Sequence, residues 1–441
     1  MTRDETIYAL SSGTVPSGVA VVRLSGPHAR FVLETLCGSL PKARHASLRR
    51  LRDPSDGEVL DEALVLFFPS PASFTGEDVA ELHLHGGRAV VASVLRALEG
   101  FDGLTPAGPG DFTRRAFEAG RLDLTEIEGL GDLIHADTEA QRRQALRQMG
   151  GELGRLYEEW RAVLVRSRAM IEAELDFADE EDVPGSVGDT IWADVIRIRD
   201  EMRAHLADNR RGERLRSGLH VILLGPPNAG KSSLLNALAR RDVAIVTEEA
   251  GTTRDIIEVH LDLGGYPLTL IDTAGLREEG VGLVEREGIR RALARAGEAD
   301  LILWLGAAGE AREPLPDGLE TCPVWPIASK SDTSTMPVGA GEIGCSVRSP
   351  GGLDELLARL EGFAADTIGQ MEAPVLTRAR HRDGLMRCLE GLDRSLEGEQ
   401  RPLELRAEDL RLASDGLARI VGKTDVEDLL DVIFRDFCIG K

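Results

Sequence analysis

Gly225-Pro226-Pro227-Asn228-Ala229-Gly230-Lys231-Ser232 decides how this chain is read. The residues just before it, 220–224 (HVILL), form a short apolar run, the pattern of a buried strand. Residues 233–240 (SLLNALAR) follow with helical spacing. A G-x-x-x-x-G-K-S run between a strand and a helix is a phosphate-binding loop. Its glycines let backbone N–H groups turn inward around phosphate oxygens, and the helix N-terminus adds the positive end of its dipole. In that arrangement Lys231 reaches the β- and γ-phosphates of a nucleoside triphosphate and the Ser232 hydroxyl ligates Mg²⁺.

Working outward, 268–271 is a second apolar run and ends in Asp272-Thr273-Ala274-Gly275. A carboxylate at a strand end can hold the Mg²⁺ shell, and a glycine there can offer its N–H to a γ-phosphate. Between the two motifs lies Gly251-Thr252-Thr253-Arg254-Asp255, where a threonine can complete the Mg²⁺ sphere when a γ-phosphate is present. Guanine-binding proteins of this class carry Asn-Lys-x-Asp after the next apolar strand. Here the strand 324–328 leads to Ser329-Lys330-Ser331-Asp332, which keeps the base-reading carboxylate but has serine for asparagine. Cys345-Ser346-Val347 matches the last base-contacting loop. The position after Gly275, often a water-orienting Gln, is Leu276, so that role passes to another polar group; Glu278, Glu279 and Glu285 are the candidates in the following loop, and the residues alone do not choose among them.

The 441 residues predict two or three domains. A composition of 42% hydrophobic and 29% charged residues is that of a globular protein. The formal net charge of -23 disfavours a chain that coats itself with nucleic acid, so RNA contact must come from a local basic face or a partner. Cys37, Cys322, Cys345, Cys388 and Cys438 are scattered without Cys-x-x-Cys spacing, which points to neither a disulfide framework nor a zinc site. The start carries no leader-like apolar core, and no run of about 20 apolar residues predicts a membrane span. The expected compartment is the cytoplasm.

Residues 1–120 read as an α+β domain, with strands at 6–11, 18–24, 63–68 and 79–85 and a helix over 88–98 that stops at Gly100. Residues 121–215 and 373–441 are rich in Ala, Glu, Leu and Arg at helical spacing. Residues 216–372 alternate strands and helices between them. This predicts a multidomain α/β and α protein, in which an α/β domain is inserted into a helical domain whose halves pack together.

Three further signatures carry a resemblance. They are Ser73-Phe-Thr-Gly-Glu-Asp-Val-Ala-Glu-Leu-His-Leu-His-Gly-Gly87, Pro109-Gly-Asp-Phe-Thr-Arg-Arg-Ala-Phe117 with Leu122-Asp-Leu-Thr125, and the terminal Phe437-Cys-Ile-Gly-Lys441. With the phosphate-loop motifs, the chain resembles the tRNA modification GTPase family MnmE (TrmE) over nearly its whole length. The resemblance implies a GTP-hydrolysing homodimer with an N-terminal folate-binding domain, a helical domain and an inserted P-loop GTPase domain. It implies tRNA and the FAD-dependent subunit MnmG (GidA) as partners. It implies modification of the wobble uridine at C5 with an aminomethyl or carboxymethylaminomethyl group, using 5-formyl- or methylene-tetrahydrofolate.

The resemblance also implies residue roles. Asn228, Thr247, Glu249 and Thr252 look like a K⁺ site, and Thr253 a ligand of Mg²⁺ beside Ser232. Contacts to GTP extend over Ala229, Gly230 and Ser233, over Glu248, Ala250 and Gly251, and over Thr273, Ala274, Lys330, Ser346 and Val347. Val284-Glu285-Arg286 matches the family and nominates Glu285 to orient water. Arg23, Glu81, Arg121 and Lys441 look like the folate site, Arg121 standing where the family has lysine. Cys438 is either a chemical group of the terminal motif or a small packing residue. Two other readings share parts of this pattern: a ribosome-assembly GTPase, and a folate-dependent transferase regulated by its GTPase insert.

Overall fold

The computed structural model describes residues 5–176, 187–208, 210–241, 243–245, 257–272, 299–311, 314–315, 319, 322–369, 373–398, 401–424, 430, 433–435, 437 and 439–440. The chain divides into two compact units. One comprises Met1–Gly131, Gln148–Arg161 and Asp415–Lys441, the other Asp132–Arg147 and Ala162–Ser414.

In the first unit, β1 (Thr6–Leu10), β2 (Ser17–Ser25), β3 (Ser47–Arg52), β4 (Val59–Phe68), β5 (Val79–Gly86) and β6 (Leu104–Pro106) form one sheet in the order β3-β4-β5-β2-β1-β6. Only β1 and β6 run parallel; the other neighbours are antiparallel. The alternation read at 79–85 appears as alternating burial in β5, because one face meets helices and the other does not. Helices Ala29–Cys37 and Arg88–Glu99 cover the apolar face, where Val22, Leu24, Val65 and Leu82 meet Val32, Leu36, Val94 and Leu98. Gly100 caps the second helix, as its sequence predicts. Strand β3 (SLRRLR) carries no alternation that a sequence reading could find. It exists because β4 pairs with it from Ser47↔Val65 onward. On the open face a small cluster of Ile7, Ala9, Ala107 and Phe112 lies beside the charged residues Arg23 and Glu81.

The C-terminal segment belongs to this unit. Phe434 and Phe437 pack on Ile127, and Ile439 bridges Pro109. Gly440 adopts φ +94, and a Cβ there would stand 2.5 Å from the Leu10 carbonyl oxygen, so only glycine lets the tail approach β1 this closely.

The second unit holds a seven-stranded sheet built from β7 (Leu219–Leu224), β8 (Ala244–Ile245), β9 (Ile257–Leu263), β10 (Tyr266–Asp272), β11 (Leu301–Ala307), β12 (Val324–Ser329) and β13 (Ile343–Gly344). Its order is β13-β12-β11-β7-β10-β9-β8, parallel from β13 to β10 and antiparallel at β9 and β8. Strand β7 is buried nearly throughout, which explains an apolar run without alternation. Helix Lys231–Leu238 follows β7 directly and seats Leu234, Leu235 and Leu238 in the core. Outside the sheet, helix Val187–Leu206, which precedes β7, lies against helix Ala379–Ser395, which follows β13, with Arg203 bonded to Asp393 at 2.7 Å.

Candidate nucleotide-binding site

The phosphate loop leaves β7 through Gly225. A Cβ there would meet the Leu305 carbonyl oxygen of β11 at 2.4 Å, so the crowding of two parallel strands demands glycine. Asn228 and Gly230 take left-handed conformations (φ 62 and 93), and Gly230 opens the helix that begins at Lys231. Ala229, between them, is 3% exposed. The Lys231 ammonium donates to the carbonyls of Gly225 (2.8 Å) and Pro226 (3.0 Å), which holds it above the loop.

Strand β10 pairs with β7 so that Asp272 stands beside Leu223. Asp272 is 1% exposed, and its Oδ2 accepts a 2.8 Å bond from the Ser232 hydroxyl. A hydroxyl and a carboxylate in contact are hard oxygen donors, the chemistry Mg²⁺ takes when phosphates and water complete its octahedron, so the residues fit that ion. Among the described residues no group of three or more His, Cys, Asp and Glu gathers elsewhere to hold a metal.

Strand β12 delivers Ser329-Lys330-Ser331-Asp332 to the same end of the sheet. Ser329, 4% exposed, donates to the Ala229 carbonyl at 2.6 Å, with the Gly306 carbonyl at 3.2 Å. Lys330, at φ 54, donates to the Asn228 carbonyl at 2.8 Å. Two consecutive residues of this segment therefore clasp two consecutive carbonyls of the phosphate loop. Asp332 Oδ1 accepts a 2.7 Å bond from the Ser346 hydroxyl, whose oxygen in turn accepts the Arg348 and Ser349 amides at 3.2 and 3.1 Å. A cavity of about 280 Å³ lies among Gly230, Ser233, Ser329, Lys330, Asp332 and Val347. Cys345 also lines it; burial pushes its thiol up to about 11, which leaves a neutral, apolar wall.

The structure thus brings together Asn228, Ala229, Gly230, Lys231, Ser232, Ser233, Asp272, Ser329, Lys330, Asp332, Ser346 and Val347. Thr247, Glu248, Glu249, Ala250, Gly251, Thr252, Thr253, Thr273, Ala274, Gly275, Glu278, Glu279 and Glu285 lie outside the described residues, as do Cys438 and Lys441. Sequence reasoning did not anticipate the Lys330 tether, because the amine reaches a carbonyl 102 positions away.

In the N-terminal unit, Arg23 on β2 stands opposite Glu81 on β5 and bonds it at 2.9 to 3.0 Å. The guanidinium lies 5.8 Å from the centroids of both the Phe74 and Phe112 rings, and His83 approaches Glu81 at 3.3 Å. Arg121 is exposed beside Gly76, and no contact joins it to Arg23 or Glu81. Gly440 packs on Leu10 and Ser11, next along the chain from the Ala9 that pairs with Arg23. A larger polar cavity of about 830 Å³ lies elsewhere in the unit, among Thr75, Glu77, Asp78, Asp111, Arg114 and Arg115. Its Arg115–Glu77 pair (2.8 Å) was not singled out from sequence, although both residues stand inside the signatures quoted above.

Residues 6–121 match the family described as GTP-binding protein TrmE N-terminus, and residues 124–438 match the MnmE helical domain. The chain is 56% identical over 99% of its length, and 100% of the relative's, to the tRNA modification GTPase MnmE of Parvibaculum lavamentivorans. It is 52% identical to the proteins of that name from Brucella anthropi and a Bradyrhizobium species, covering 99% of this chain and 98% and 99% of theirs. With two domain families matched end to end and relatives this similar over the whole length, the chain belongs to the MnmE (TrmE) family.

Proposed function

We propose that this protein hydrolyses GTP as the homodimeric, cytoplasmic GTPase of a tRNA-modifying complex. With an FAD-dependent partner of the MnmG type it installs an aminomethyl or carboxymethylaminomethyl group at C5 of wobble uridine in certain tRNAs, using a tetrahydrofolate one-carbon unit. One observation supports the GTPase half above all. A phosphate loop, a Ser232–Asp272 pair and Asp332 converge on one end of one sheet, with a cavity beneath the base-reading segment. Among the described residues no helix is long and apolar enough to cross a membrane.

In this reading Lys231 leaves its loop carbonyls to meet the β- and γ-phosphates, and the loop amides around Gly230 cradle them. Ser232, Asp272 and Thr253 would hold Mg²⁺, which supplies positive charge to the phosphate oxygens as the bond breaks. Asp332, aligned by Ser346, accepts the N1–H and exocyclic amine of guanine. Glu285 orients the attacking water, a role that Leu276 cannot fill. Asn228, Thr247, Glu249 and Thr252 would hold K⁺, which supplies charge that other GTPases draw from arginine. Water adds to the γ-phosphorus, the bond to the β-phosphate oxygen breaks, and GDP and phosphate leave.

The 216–372 segment acts as the GTPase insert, and its cycle drives conformational change in the helical segments 121–215 and 373–441. For the 1–120 domain, Arg23 with the half-exposed Phe74 ring offers a cation and an aromatic face, the two features that a folate's anionic tail and ring require, and Arg121 and Lys441 add cations. Deleting the gene and analysing tRNA nucleosides by mass spectrometry tests the reading. The C5-modified wobble uridines should vanish and return with the wild-type chain. Unchanged wobble nucleosides refute it.

A further inference from the structure

We infer that Ser329 makes this protein blind to the imidazole edge of guanine: it reads the base through Asp332 and makes no use of N7. The inference deepens the GTP reading above and rests on it. A hydroxyl has one proton to give. Both neighbours of Ser329 Oγ, the carbonyls of Ala229 at 2.6 Å and Gly306 at 3.2 Å, are acceptors only, so the proton is committed to the backbone. The shorter bond goes to a phosphate-loop residue that is 3% exposed. If the hydroxyl rotated toward the base, that carbonyl would lose this donor, at a cost comparable to the bond gained.

The position matters because Ser329 lines the base cavity on its phosphate-loop side, within 4 Å of where a Cβ on Gly230 would stand. In a guanine nucleotide the five-membered ring carries the sugar and phosphates. With N1 and the exocyclic amine at Asp332, N7 therefore faces the loop side, where Ser329 sits. Lys330, the neighbouring residue, gives one of its three ammonium N–H groups to the Asn228 carbonyl at 2.8 Å. An asparagine at 329 has two N–H donors and could tether the loop and donate to N7 together. Serine has kept the tether and given up the base contact.

The test is competition against a fluorescent ribose-labelled GDP on the full chain, using GTP, 7-deaza-GTP and ATP. In 7-deaza-GTP a C–H replaces N7, while N1–H, the amine and O6 remain. GTP and 7-deaza-GTP should compete equally, within about twofold, and both should far exceed ATP. Ser329→Asn should restore a preference for GTP over 7-deaza-GTP of roughly a few-fold to tenfold, the worth of one hydrogen bond. A preference of about fivefold or more on the natural chain, with ATP still rejected, overturns the role of Ser329 and leaves the guanine reading standing. Absence of any preference in Ser329→Asn also overturns it, because position 329 then does not face N7. If ATP competes as well as GTP, the guanine reading falls and this inference with it.

Discussion

Arg382→Met is expected to destabilise the unit that carries the nucleotide site, and its size can be worked from contacts. Arg382 stands in the first turn of helix Ala379–Ser395 and holds residues 206–213, which lead into β7. Its Nε donates to Glu213 at 2.9 Å, one terminal nitrogen to Asp208 at 2.7 Å and the other to the Leu206 carbonyl at 3.0 Å. The three side chains are 14%, 11% and 21% exposed for Arg382, Asp208 and Glu213. Gly212, beside Glu213, has no room for a Cβ, which would meet the Leu376 carbonyl oxygen, so the backbone here packs closely on the segment that precedes the helix. Removing the arginine leaves two carboxylates sharing a poorly solvated site, and Asp208 Oδ2 is already buried without a partner. Breaking a buried pair from one side costs about 3–5 kcal/mol, and the partial exposure places this case near 3. At about 2–4 °C per kcal/mol, the corresponding transition in a calorimetric scan should fall by roughly 6 °C or more. Adding Asp208→Asn and Glu213→Gln to Arg382→Met should recover most of that loss, because it removes the stranded charges rather than restoring a contact. A loss under about 1 °C, or a triple variant no better than the single, would refute the reasoning.

Burial lowers His205 to about 4, against the pull of the nearby Asp208 carboxylate. The unfolded chain takes a proton near pH 6.5 that the folded protein refuses, so stability is full above 6.5 and falls as pH drops toward 4, by about 2–3 kcal/mol for this half-buried group. His205→Gln should flatten that window in a pH series of unfolding midpoints, and an unchanged slope would show that another group titrates. Ser346→Ala removes the hydroxyl that aligns Asp332 at 2.7 Å, and GTP affinity should fall roughly tenfold, read by titration, with a smaller loss for phosphate-only contacts. An unchanged affinity would mean that Asp332 holds its orientation unaided. Glu285→Ala should leave GTP affinity near normal and lower turnover, and wild-type turnover would return the water-orienting role to Glu278, Glu279 or another group. Hydrolysis should run much faster in K⁺ than in Na⁺ at equal ionic strength, and equal rates would dismiss the K⁺ ligands.

Much of the architecture is legible in the amino-acid sequence. Strands β7, β10 and β12, the helix from Lys231 and the helix closed by Gly100 all announce themselves within a dozen residues, through apolar runs, periodicity and glycine. These are local preferences, and local chemistry is written in local sequence. Residues distant along the chain left no such mark. Strand β3 exists through its register with β4, and Arg23 finds Glu81 across 58 positions because β2 and β5 are neighbours in the sheet. Ser329 shows the division most clearly. Its identity declares that an asparagine's second donor is absent, but the destination of the proton that remains is the Ala229 carbonyl, 100 residues away. A hydrogen bond is a statement about distance in space, and chain folding sets that distance, so the residue's chemistry was legible in its letter and its use only in the fold.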